Sequence, residues 1–251
     1  MCLTGKNVFL NFNTMQRVLV ALVIIAVSCT QGDDKAPMVF SLSYDFSKDD
    51  HSWAGDFADY PKDDSVAYEL VFRHDTLPTN LNNNGTHKAL MLSGNNGSDD
   101  LFMFIKKKLT GIKPNTVYNV LFNIQLASNA PTGAVGIGGA PGESVILKAG
   151  VTLSEPLKIL DDDLYYRMNI DKGNQLEAGE DMMIIGNIGV APNTTQYTTI
   201  FRNNNSGSPF QFTSDHSGEA WIIVGTDSGF EGKTTLYYTR IDILFNEVGP
   251  N

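Results

Sequence analysis

Tyr118-Asn119-Val120-Leu121-Phe122-Asn123-Ile124-Gln125-Leu126 places an apolar side chain at every second position. Successive side chains on a strand point to opposite faces, so Tyr118, Val120, Phe122, Ile124 and Leu126 make one dry face. Asn119, Asn123 and Gln125 fall on the other face, which predicts a half-buried strand. The same period runs through Val66, Tyr68, Leu70 and Phe72, and through Val145, Leu147, Ala149, Val151 and Leu153. It returns near the end in Tyr237, Thr239, Ile241, Ile243 and Phe245, which alternate with Tyr238, Arg240 and Asp242. Shorter strands are expected at 40–46, 89–92, 101–105, 164–170, 182–185, 197–201, 210–212 and 220–224. Turn residues separate them, among them Asn84-Gly85, Asn96-Gly97, Asp171-Lys172-Gly173-Asn174 and Asp227-Ser228-Gly229. No stretch beyond residue 29 sustains a helical period. The pattern predicts an all-β fold, a two-sheet β-sandwich of jelly-roll type, as one domain over residues 38–251.

The start of the chain reads differently. Val18 to Val27 is an unbroken apolar run of ten residues behind Arg17, too short to span a bilayer and fitting a signal-peptide core. Met15 is an alternative start. The run ends in Ala26-Val27-Ser28-Cys29, which resembles a bacterial lipobox, although Leu is commoner where Ala26 stands. Residues 1–28 are therefore expected to be a lipoprotein signal peptide, Cys29 the lipid attachment site and residues 29–37 a tether. The expected location is the outer membrane or cell surface of a bacterium, with the membrane as a partner through the lipid. Cys2 and Cys29 are the two cysteines, so the body of the domain has no disulfide. Residues 1–28 hold Lys6 and Arg17 and no acid, so their removal takes the net charge from −10 to −12. That charge repels phosphate backbones and disfavours nucleic acid as a partner.

Catalytic signatures are missing from the sequence. Gly133 to Gly142 lacks the Lys-Ser/Thr ending of a phosphate loop and reads as a wide turn. His51, His74, His87 and His216 form no metal-binding pair spacing, and no serine sits in a Gly-Xaa-Ser-Xaa-Gly elbow. Glu69 and Glu143 read as a solvated strand face and a turn rather than as the two carboxylates of a glycosidase.

Several stretches together carry a resemblance: 53–61, 98–104, 136–145, 169–175 and 225–232. They resemble a family of uncharacterised secreted bacterial proteins, which implies no activity. The strand pattern is similar to the jelly rolls of carbohydrate-binding modules, which implies a glycan ligand. Sugar recognition uses aromatic faces for stacking with amides and carboxylates for the hydroxyls. Trp53, Tyr60 and Phe230 are the stacking candidates, with a core role as the competing reading for Trp53. Trp221, in an apolar strand, is expected in the core. Hard oxygen ligands for a structural Ca²⁺ are expected from Asp45, Asp49, Asp50 and Asp242, where the first strand meets the last. The competing reading has Asp45 capping a turn and Asp242 pairing with a lysine or arginine. The function expected is a non-catalytic binding or adhesion module, with a polysaccharide-degrading enzyme and a structural envelope protein as alternatives.

Overall fold

The computed structural model describes residues 37–82, 84–97 and 100–249. The segments expected to be a signal peptide and most of the expected tether, Cys29 included, lie outside the described residues. Among the described residues no helix is long and apolar enough to cross a membrane.

Two long strands organise one sheet: β7 (Val117–Ser128) and β15 (Gly232–Glu247). They pair antiparallel along their lengths, and shorter strands cover each half of their outer edges. On the β15 side these are β1 (Val39–Asp45) and β5 (Lys88–Asn96), with β4 (Val71–Thr76) beyond β5. On the β7 side they are β12 (Thr198–Asn203) and β13 (Phe210–Thr213). The resulting seven-stranded sheet faces a five-stranded one. Its order is β11 (Met183–Asn187), β8 (Val145–Thr152), β14 (Glu219–Ser228), β6 (Leu101–Thr110) and β2 (Ala54–Ala58). Both sheets are antiparallel throughout.

The predicted alternation becomes the core. Tyr118, Val120, Phe122, Ile124 and Leu126 from β7 meet Leu101, Met103 and Ile105 from β6 and Val145, Leu147, Ala149 and Val151 from β8 in one buried cluster. Each such side chain contributes about 1.5–3 kcal/mol when taken fully out of water. No disulfide takes part, and this burial carries the fold.

The five-stranded sheet is unusual in being covered on both faces. Every residue of β8 is buried, Lys148 and Thr152 included. The cover is the segment 155–182, which contains β9 (Lys158–Leu160) and β10 (Tyr165–Met168). These join β3 (Tyr60–Pro61) in a small third sheet. Beneath the cover, Phe102, Phe104 and Ile223 pack with Ala58 and Met182, against Met168 and Ile170.

Three expectations need correction. The strand expected around Val66 starts only at Val71: residues 65–69 turn, Glu69 takes φ 48°, and Val66 is 89% exposed. The segment 53–60, which lies between the expected strands, contains β2, paired with β6. Its Gly55 lies under the Phe72 ring, where an added Cβ would sit 2.3 Å from the ring, so close approach and not apolar alternation marks this strand. Finally, the register of β15 shifts between Tyr238 and Arg240. The extra residue, Thr239, breaks the alternation. Tyr238 is consequently buried in the core and Tyr237 faces outward, the reverse of the simple period.

Candidate ligand-binding face

Trp53 and Tyr60 do not form a sugar platform. Each is 3% exposed. Trp53 stands edge-on to Tyr44 and Phe46, with ring centroids 5.4 and 6.0 Å away. Tyr60 packs against Tyr68 and Tyr166. The aromatic mass of this segment closes one end of the core, as hydrophobic burial favours. Phe230 is half-buried, in close approach to Gly136 and Gly232, and forms one wall of a recess of about 210 Å³ with Pro131 and Pro141. It holds the glycine-rich loop against the sandwich. Trp221 also departs from expectation: it is half-buried, outside the core cluster, with the Lys106 ammonium 5.6 Å from its ring centre.

The expected calcium ligands are not gathered. Asp45 accepts the backbone N–H of Ser47, Asp49 that of His51 and Asp50 that of Ser52. Asp242 is held by the Arg240 guanidinium at 2.9–3.0 Å and by the Ser43 hydroxyl at 2.6 Å. Local hydrogen bonds thus take up these carboxylates, as the competing turn-and-ion-pair reading has it. Among the described residues, the carboxylates that do converge are Asp59, Asp100 and Asp227.

The open aromatic surface lies instead on the outer face of the seven-stranded sheet. Tyr237 reaches it through the β15 register shift. Tyr197, just before β12, meets it edge-on with centroids 5.2 Å apart and planes at 89°. Both rings are half-buried, and burial raises both phenol pKa values. Phe201, on the same side of β12, is 58% exposed. The residues opposite Tyr237 across the sheet, Ala127 on β7 and Met91 on β5, are buried beside it at 0% and 4% exposure.

Beside this pair lies a recess of about 240 Å³, lined by Gln125, Thr199, Thr239 and Arg240 together with His87 and Lys88. Thr199 and Gln125 connect it to the aromatic surface, since Thr199 and Tyr237 are both paired with Ala127 across the sheet. The recess offers amide, hydroxyl and guanidinium groups. Two ion pairs lie on the face, Arg73 with Asp75 at 3.0 Å and Arg240 with Asp242.

A second concentration of polar groups sits under the cover of the five-stranded sheet. The Lys148 ammonium, wholly buried, donates to the carbonyls of Lys172 and Glu177 and to Asp227 at 2.8–2.9 Å. Lys172 bridges Asp227 and Asp59 at 2.8 and 2.9 Å. Arg167 reaches Asp59 at 3.2 Å and Asp100 at 3.1 Å. Burial pushes the Lys148 pKa down, whereas Asp227 and Asp59 outweigh burial at Lys172 and raise it. Ammonium groups stand among the three acids where a divalent cation would otherwise be placed. Four of the five stretches that carried the family resemblance supply this cluster, with Asp59, Asp100, Lys172 and Asp227.

No protein-family model matches the chain. No curated protein matches it either. Among solved structures it is similar to the CBM22-1 xylan-binding domain of Paenibacillus barcinonensis Xyn10C, at 11% identity and TM-score 0.34 over 84% of this chain and 95% of that one. It is similar to TmCBM61 in complex with β-1,4-galactotriose, at 9% identity and TM-score 0.31 over 78% and 89%. A third likeness is to arabinose-bound MgGH51 α-L-arabinofuranosidase, at 13% identity and TM-score 0.34 over 80% of this chain and 25% of that one. The functional conclusion is drawn from the residues of this chain.

Proposed function

We propose that the β-sandwich is a non-catalytic glycan-binding module, held at the bacterial cell envelope by a lipid on Cys29. The observation that carries the reading is the open sheet face on which Tyr237 and Tyr197 stand beside a recess of amide, hydroxyl and guanidinium groups. A ring face takes the apolar side of a sugar, and such polar groups take its hydroxyls. The rings are perpendicular, so they offer one stacking surface and one edge instead of a flat platform. This favours a soluble chain over a crystalline surface. The arginines of the face are paired with its acids, and the chain carries −12 once residues 1–28 are removed, which favours a neutral sugar over a polyanion.

The non-catalytic reading is supported by the state of the acids. Asp59, Asp100 and Asp227 are the three that converge, and they are tied to Lys148, Lys172 and Arg167. Binding to an array of neutral and acidic glycans, followed by a reducing-sugar assay on any ligand found, tests both halves. Binding to neutral chains without product is the expected result. Release of reducing ends would establish the enzyme alternative, and binding to no glycan would remove the proposal.

A further inference from the structure

Under the cover of the five-stranded sheet, two carboxylate oxygens are buried without a hydrogen-bond donor, Asp100 Oδ1 and Asp227 Oδ1, while Asp59 Oδ2 meets the Lys172 ammonium at 2.9 Å. Asp227 is 0% exposed, so solvent does not supply its missing donor. The three side chains present oxygens within 4.8 Å of one another. Buried acceptors of this kind need an explanation, because an unmet polar group in the interior is costly.

The charges around them supply one. Asp227 comes from β14 and Asp59 from the turn after β2. Lys148 comes from β8, Arg167 from β10 and Lys172 from the loop after β10, while Asp161 in the β9–β10 turn lies 3.5 Å from Arg167. The three cations are matched by Asp59, Asp227 and Asp161. A charge on Asp100 is therefore surplus.

We infer that Asp100 is protonated when the cover is closed and shares its proton with the donor-less oxygen of Asp227, as a proton-operated latch on segment 155–182. One O–H group then meets two unmet needs, its own oxygen's and a neighbour's, while Asp100 Oδ2 still accepts from Arg167 at 3.1 Å. Burial first, and the neighbouring Asp59 second, push the Asp100 pKa up to about 6, in agreement with this arrangement. The latch fastens the cover through the groups it touches. Arg167 is on β10, Lys172 is in the loop beyond it, and the Gln175 N–H donates to Asp227 at 2.9 Å. Asp59, Asp100 and Arg167 also line a shallow surface recess of about 340 Å³, through which solvent protons reach the latch.

The sign follows from linkage. A carboxyl whose pKa is higher in the closed form than in the open form favours closure fully below the open-form value. That advantage is lost as pH rises through the closed-form value. With an ordinary value of 3.8 and a closed value of about 6, opening becomes roughly tenfold more favourable between pH 5 and pH 7.5.

Hydrogen exchange of the purified folded protein, read at the amides of 165–182 and corrected for intrinsic exchange, tests this independently of any glycan. The wild type should lose about tenfold in protection from pH 5 to pH 7.5. Asp100→Asn, whose amide donates without charge, should stay protected at both. Equal protection of the wild type at the two pH values, or an unchanged pH response in Asp100→Asn, would overturn the latch. Should that variant not fold, carbon-13 titration of the wild-type carboxyls decides: one buried midpoint near 6 supports the latch, and none above 4.5 refutes it.

Discussion

Tyr237 owes its place on the open face to one extra residue in β15, and that residue was not legible in the sequence. Strict alternation puts Tyr237 with Ile241 and Ile243, yet the shift at Thr239 sends Tyr238 inward in its stead. Thr239 stabilises the irregularity by donating its hydroxyl to the Gln125 carbonyl at 3.1 Å. Composition gives no sign of such a bulge, and the stacking candidates it offers are Trp53, Tyr60 and Phe230 instead. Trp53 and Tyr237 make opposite predictions. Trp53→Ala should cost about 3–5 kcal/mol of stability, seen in chemical denaturation, because it empties a fully packed site. Glycan affinity of the fraction that remains folded should not change. Tyr237→Ala should lose only about 0.5–1.5 kcal/mol of stability, the worth of its ring contact with Tyr197.

At the scale of elements, the strands with clean alternation were readable and those held by other forces were not. β7 and β8 follow from their apolar period, since each has a face that must be dry, and the start of β6 from its unbroken apolar run. β2 and β9 lack that period: β2 is kept by pairing with β6 under Phe72, and β9 by pairing with β10. Of the cover, the strand expected over 164–170 is β10, but its role as a layer was not legible, because Leu157, Ile159, Leu160 and Leu164 face outward at 42–50% exposure and polar residues hold it down. Lys148 sits at the centre of that attachment. Lys148→Met keeps the length of the side chain but leaves two carbonyls and Asp227 without its ammonium. Removing one partner of a buried ion pair costs about 3–5 kcal/mol, so this variant should show a lowered denaturation midpoint and faster exchange across 165–182. Stability close to that of the wild type would show that Lys172 alone secures Asp227.

For the whole molecule, the sandwich class, the acidic charge and the absence of a disulfide within the domain all came from the sequence. The convergence of Asp59, Asp100, Lys172 and Asp227 did not, because they are brought together by pairings between distant strands. Acid should act on the protein in two opposing ways. Asp171 accepts the N–H groups of Glu180 and Gly173 and has a lowered pKa, so its contribution is present above the unfolded value and lost as pH falls through the folded one. Asp100 works in the opposite direction, gaining as pH falls from about 6. A stability profile should therefore rise from pH 7.5 toward pH 5 and fall at lower pH, and Asp100→Asn should remove the rise. Envelope attachment is tested separately. Cys29→Ser should abolish fatty-acid labelling and release the protein or leave it uncut, since the several acyl chains on a lipoprotein cysteine anchor firmly. Wild-type protein in the soluble fraction would contradict the anchor. The central claim, that the outer face of the seven-stranded sheet binds glycan, is tested most directly by affinity electrophoresis in gels containing a soluble neutral polysaccharide identified on the array. Wild-type protein should be retarded and Tyr237→Ala should run about as fast as in a gel without polysaccharide, with folding confirmed by its melting curve. Equal retardation of the folded variant and the wild type would place the ligand elsewhere and contradict the account.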